Sequence, residues 1–96
     1  MNRLVLCGAL VQVDTLRYSP AGVPIAEAVV HYRGSQDIAG QPRQLECKLT
    51  VQASGTLATQ LAGLPQGTQV KLEGALNRRS VNSRQLVLLV NRIEKE

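Results

Sequence analysis

Arg78, Arg79 and Arg84 fall within seven residues, Arg-Arg-Ser-Val-Asn-Ser-Arg, between two apolar runs that read as strands. The stretch between Glu73 and Glu94 adds Arg92 and contains no acid and no aromatic. The rest of the chain balances seven bases against seven acids, so the formal charge of +4 is the excess of this one stretch. A guanidinium stays charged at any working pH and can grip phosphate oxygens two at a time. A polar, basic tip between two strands therefore offers cations to an anionic partner. In a small soluble domain that partner is expected to be nucleic acid.

Other chemistry is thinly supplied. There is one histidine, His31, and two cysteines, Cys7 and Cys47, with no Cys-x-x-Cys or His-x-x-x-His pair and no phosphate-cradling glycine loop. Neither a metal site nor a cofactor is expected from so few scattered ligands. A Cys–His dyad needs the two side chains within hydrogen-bond reach. Both cysteines sit on strand positions that read as inward, while His31 reads as outward. The cysteines are expected to be reduced, buried thiols of a cytoplasmic protein. Glu27 and Glu46 share an outward parity, and their expected role is as solvated charges paired with Arg33 and Lys48. The chain is not expected to be an enzyme.

Ninety-six residues, 44% of them hydrophobic, suffice for a single domain, residues 1–96, with one core. No apolar run approaches a membrane span and the N-terminus does not read as a signal peptide. Asn2 to Val13 is apolar on both faces, as in a strand buried on both sides. Asp14 to Gly22 reads as a loop, with turn chemistry at Ser19-Pro20-Ala21-Gly22. From Pro24 the alternation is clean: Ala26, Ala28, Val30 and Tyr32 point one way, Glu27, Val29, His31 and Arg33 the other. Gly34 to Pro42 reads as a long polar connection. Leu45, Cys47, Leu49 and Val51 are expected to face in along a third strand. Ser54 to Leu64 is the one helical segment, with Ser54 as its cap and Leu57, Leu61 and Leu64 at helical spacing. A fourth strand carries Val70, Leu72 and Leu76, and a fifth runs from Gln85 to Ile93.

Five strands with a helix between the third and fourth is the order of an all-β, five-stranded OB-fold barrel; an SH3-like barrel is the alternative. Gly8 and Gly74 suit the bends that close so small a barrel. This fold binds single strands across the outer face of strands two and three, walled by the one–two and four–five loops. It would gather Arg17 and Tyr18 from the first loop, Arg78, Arg79 and Arg84 from the second, and Arg33, Lys48 and His31 from the face between. Lys71, Arg92 and Lys95 read as ordinary solvated charges. Tyr32 lies on the inward parity, which leaves Tyr18 as the stacking candidate, with packing against Pro20 as its alternative. One face of the first strand should fill the barrel; the other needs a cover, either a second subunit or an element of the same chain.

Asn2-Arg3-Leu4-Val5-Leu6-Cys7-Gly8, Ser19-Pro20-Ala21-Gly22-Val23-Pro24, Gly40 with Arg43-Gln44, and Val70-Lys71-Leu72-Glu73-Gly74 follow one another along the chain. This ordered set resembles the primosomal replication protein N family of bacterial replication restart, and the resemblance runs nearly end to end. It implies an OB-fold homodimer that binds single-stranded DNA without sequence preference. It also implies contacts with the restart helicase PriA and with a DnaT-like helicase-loading protein. By the same resemblance, Arg17 and Arg33 match basic positions in the first loop and at the end of strand two. Arg78, Arg79 and Arg84 match a basic four–five loop as a group, although that loop is shorter here. The family's best-known DNA binders carry a tryptophan on the third strand where this chain has Glu46. Two other readings stay open at this point. One is a general single-strand-protecting protein of the same fold, against which the chain lacks an acidic tail and aromatics. The other is a protein-interaction module that docks through its basic loop.

Overall fold

A computed structural model describes residues 1–96. Its strands are β1 (Leu4–Val13), β2 (Arg17–Tyr18), β3 (Pro24–Ile38), β4 (Gln41–Ser54), β5 (Gln69–Arg78) and β6 (Leu86–Lys95), with one helix, α1 (Thr56–Ala62), between β4 and β5. Five long strands close a ring, β1–β3–β4–β6–β5 and back to β1. All neighbours are antiparallel except β4 and β6, which meet in parallel at Val51–Leu88 and Gln52–Leu89. The two-residue β2 lies against the start of β3, with Arg17 opposite Ile25 and Tyr18 opposite Pro24. This is the five-stranded OB barrel, with its helix between the third and fourth long strands.

Period-two alternation builds the core. Ala26 pairs with Ala53 and Ala28 with Val51 on the neighbouring strands β3 and β4, and these side chains and that of Val30 all enter the interior and are buried. Small alanines there leave room for Leu10, Leu72 and Leu88, which are completely buried. The helix closes one mouth of the barrel by packing Ala58 and Leu61 against it, in contact with β3, β4 and β6. Burying Leu61 completely is worth about 1.5–3 kcal/mol. The helix starts at Gly55 (φ 69°) with no side-chain cap, so Ser54 belongs to the end of β4 instead of capping. Two glycines make closure possible. A Cβ on Gly8 would run into the backbone carbonyl of His31, and one on Gly74 into that of Leu89. Gly74 also sits where the β5–β6 register slips by one residue.

Two expectations are corrected, and of the two covers offered for the outer face of β1 the one from within the chain is absent. The stretch from Gly34 to Pro42 is not a loop: β3 and β4 pair from Ile25–Ser54 out to Ile38–Gln41. The connection is the two-residue turn Ala39-Gly40, both with positive φ (54° and 81°), as tight hairpins require. Next, Cys7 and Cys47 are exposed. Cys47 keeps the inward parity, but it lies on the hairpin arm beyond the last full layer of the core. Cys7 belongs to the outer face of β1. Finally, no element covers that face: Val5 is exposed, and α1 packs elsewhere. Leu4, Leu6, Cys7, Tyr32, Leu45 and Cys47 instead line an apolar depression between β1 and the arm. The elongated outline, 49 × 31 × 21 Å, is consistent with a projecting arm. Asn2 lengthens the β1–β5 ladder through its side chain: its amide donates to Leu76 O (2.7 Å) and its carbonyl accepts from Leu76 N (2.9 Å). No helix is long and apolar enough to cross a membrane.

Candidate nucleic-acid interface

Antiparallel register sets the floor of the face formed by β3 and β4. Going along it, Glu27 lies opposite Gln52, Val29 opposite Thr50, His31 opposite Lys48, and Arg33 opposite Glu46. At a strand rise of about 3.3 Å per residue, Glu27 and Arg33 are roughly 20 Å apart. The two acids therefore do not adjoin, and a paired-carboxylate chemistry is excluded.

Their ionic partners also differ from those expected. Glu46 Oε2 lies 2.7 Å from His31 Nε2, a diagonal contact across the strand pair. Hydrogen bonding to His31, with smaller help from the positive charges of His31, Arg33 and Lys48, holds the Glu46 carboxyl below its ordinary range. Arg33 and Lys48 make no ion pair and stay exposed. His31 Nε2 is committed to Glu46, so it is not free to activate a thiol. Desolvation, followed by the nearby Glu96, pushes the Cys7 thiol up and away from the reactive thiolate. No group of three or more His, Cys, Asp and Glu side chains gathers as a metal site.

Glu27 is the hinge of the arrangement. Its side chain is only 14% exposed. Arg17 Nη2 donates to Oε2 at 3.3 Å, and Arg79 Nη2 donates to Oε1 at 2.9 Å. Gln52 Nε2 reaches Oε2 at 3.4 Å. One carboxylate thus joins the loop that follows β1 to the β5–β6 loop, across 52 residues of sequence in the case of Arg79. The arginine-rich stretch holds no acid of its own, but β3 supplies one to Arg79. The sequence signal was present, because Glu27 stands on the outward parity of β3. Its partners were hidden because strand pairing brings them from distant segments. Both arginines are largely exposed (62% and 43%), so each pair adds about 0–1 kcal/mol to stability. Their effect lies in placing the arginines.

The β5–β6 loop is shaped by its own polar groups. Arg79 N donates to Gln85 O (2.8 Å), Ser83 N to Ser80 O (3.1 Å), and Gln85 N to Ser83 Oγ (3.0 Å). Arg78 Nη1 donates to Val81 O at 2.9 Å, so part of its guanidinium braces the loop. Arg84 is exposed and makes no side-chain hydrogen bond or ion pair. Tyr18 is 65% exposed, so most of its side chain is open to solvent. Tyr32 is half-buried with its hydroxyl accepting from Gln36 Nε2 (3.4 Å), away from the floor. Val81, 77% exposed at the loop tip, was not singled out from the sequence; nothing in its neighbourhood of polar residues marks it. The other charges gather elsewhere: Arg3–Glu73 (2.9 Å) and Arg92–Glu94 (2.7 Å) form a mixed cluster with Lys71 on the outer face of β1, β5 and β6.

The structure therefore brings Arg17 and Arg79 together at Glu27, at one end of the β3–β4 face, with Tyr18 next to Arg17 on β2; Arg78 and Arg84 share the β5–β6 hairpin with Arg79 without contacting that face. Lys48 and Arg33 lie farther along the same floor. This geometry has relatives. A family described as "another single-strand binding protein family" matches residues 2–92. The chain is 34% identical over 76 residues to the replication restart protein PriB of Bordetella pertussis, covering 79% of this chain and 71% of that protein. Against PriB of Photorhabdus laumondii the identity is 36% over 77 residues, covering 79% and 73%. The solved structure of PriB from Ralstonia solanacearum superposes with a TM-score of 0.92 at 32% identity, covering 100% of this chain and 98% of that one. The single-stranded DNA binding protein of Thermus aquaticus shares the fold, with a TM-score of 0.80 at 21% identity over all of this chain and half of that one. The chain belongs to the PriB family of replication restart proteins, within the wider single-strand binding protein family.

Proposed function

We propose that this protein binds single-stranded DNA, without sequence preference, along the β3–β4 face as a non-enzymatic accessory of replication restart. The observation that carries the reading is the convergence of Arg17 and Arg79, from loops on opposite walls, on one end of that face. Arg78, Arg79 and Arg84 supply one wall, Arg17 and Tyr18 the other, and Lys48 and Arg33 continue the track. No base edge is selected by such a set: arginine and lysine meet phosphates, and a tyrosine ring stacks on any base. The floor carries the ionised Glu46 and no aromatic ring, so attraction to phosphate supplies most of the affinity, which is weak and strongly salt-dependent.

The protein acts as a homodimer, with a second copy covering the apolar depression beside β1. Its relatives are named for replication restart; in that setting it links the DNA to the restart helicase PriA and to a DnaT-like helicase-loading protein. Fluorescence anisotropy with a labelled oligothymidylate at 50 and 200 mM salt tests the DNA reading. Binding at the lower salt that fades at the higher supports it; no binding at either sinks it. Light scattering tests the dimer: a mass of one chain would refute it.

A further inference from the structure

We infer that Glu27 is an internal stand-in for a DNA phosphate, holding Arg17 and Arg79 in place and setting how tightly the protein can bind. The inference rests on the DNA-binding reading and deepens it. The carboxylate occupies the place a backbone phosphate would take between two arginines of opposite loops, one oxygen to each. Its low exposure and its contact with Gln52 keep it there. Each arginine spends one Nη2 donor on Glu27, and neither guanidinium has another hydrogen bond in the structure. The remaining donors are unbonded and available to a phosphate, but the pair of arginines offers one net positive charge instead of two. No other acid contacts either arginine.

Removing the charge while keeping the shape separates the two effects. Glu27→Gln retains a side chain that can accept from Arg79 and Gln52. If it frees one cation for one more phosphate, the salt slope of log K steepens by about 0.7. With equal affinities at 1 M salt, this makes the variant bind about eight-fold tighter at 50 mM and about three-fold tighter at 200 mM. Glu73→Gln, the same charge change beside Arg3 on the outer face of β1, β5 and β6, serves as the control and should shift affinity less than two-fold. The same Glu27→Gln change placed in an Arg17→Ala/Arg79→Ala background should have no effect.

The assay is anisotropy of a labelled oligothymidylate against the full chain, with thermal melts confirming that each variant is folded. Tighter binding by Glu27→Gln with a steeper slope, lost in the double-alanine background, supports the inference. Unchanged or weaker binding by a folded Glu27→Gln overturns it, as does an equal gain from Glu73→Gln. Should Glu27→Gln fail to fold, Glu27→Ala, which removes the same charge, must steepen the salt slope, and an unaltered slope overturns the inference. Wild type that binds no DNA at 50 mM salt would overturn the underlying DNA reading itself, a result distinct from the others.

Discussion

Changing Arg78, Arg79 and Arg84 together to alanine should nearly abolish DNA binding, by an amount the charge arrangement fixes. The proposed DNA path uses six cations, Arg17, Arg33, Lys48, Arg78, Arg79 and Arg84. Glu27 offsets one of them, which leaves about five for phosphates. At about 0.7 per neutralised phosphate on a single strand, log K should fall by roughly 3.5 per decade of salt. Affinity then drops about 100-fold between 50 and 200 mM. In the triple variant Glu27 offsets Arg17, and only Arg33 and Lys48 remain uncompensated. The slope shrinks to roughly −1.4, and affinity at 50 mM falls roughly 500-fold. Anisotropy titrations over four salt concentrations measure both quantities. Replacing Arg3, Lys71 and Arg92, which removes as much charge from the outer face of β1, β5 and β6, should leave the slope within about half a unit of wild type. A triple-arginine variant that binds with the wild-type slope would show that the loop is solvated surface and would refute the reasoning.

Other consequences concern single sites. Tyr18→Ala should weaken DNA binding by roughly 1–3 kcal/mol if the ring stacks on a base, with the melting temperature unmoved because the ring is exposed; Tyr18→Phe should retain binding. Gly74→Ala forces a methyl into the Leu89 carbonyl on β6 and should cost about 1–3 kcal/mol, lowering Tm by roughly 5–20 °C in a thermal melt. The hydrogen bonds from His31 and Arg3 hold the carboxyls of Glu46 and Glu73 below 4.5, so what they add to stability is complete above that pH and is lost as pH falls through the lowered folded values. The Glu46→Gln/Glu73→Gln variant should therefore lose less Tm than wild type between pH 4.5 and the acid transition, and parallel curves would contradict this.

The barrel was legible where one face of a strand meets the core. Ala26, Ala28 and Val30 alternate with Glu27, Val29 and His31 because the pleat sends neighbours to opposite sides, and the interior selects one side. The signal fades where both faces meet solvent. From Gly34 to Pro42 the β3–β4 ladder continues outside the barrel, so no apolar alternation was written into the sequence and the segment looked like a loop. Cys47 was misread for a related reason: parity says which side a residue faces, not whether anything lies there. The convergence of the two loops followed from the fold order alone. The ties that fix it did not, because Glu27 reaches Arg17 and Arg79 through the closure of the sheet and not through any local spacing. The exchange of Glu46 from Arg33 and Lys48 to His31 was equally hidden, since a strand pair allows both straight and diagonal neighbours.

The proposed DNA path is tested most directly by adding an unlabelled oligothymidylate to the ¹⁵N-labelled protein at low salt and following the amide signals. The account predicts shifts clustered at Arg17–Tyr18, along Glu27–Arg33 and Glu46–Gln52, and at Arg78–Arg84. Unmoved signals throughout, or shifts confined to the face of Arg3, Lys71, Glu73 and Arg92, would contradict it.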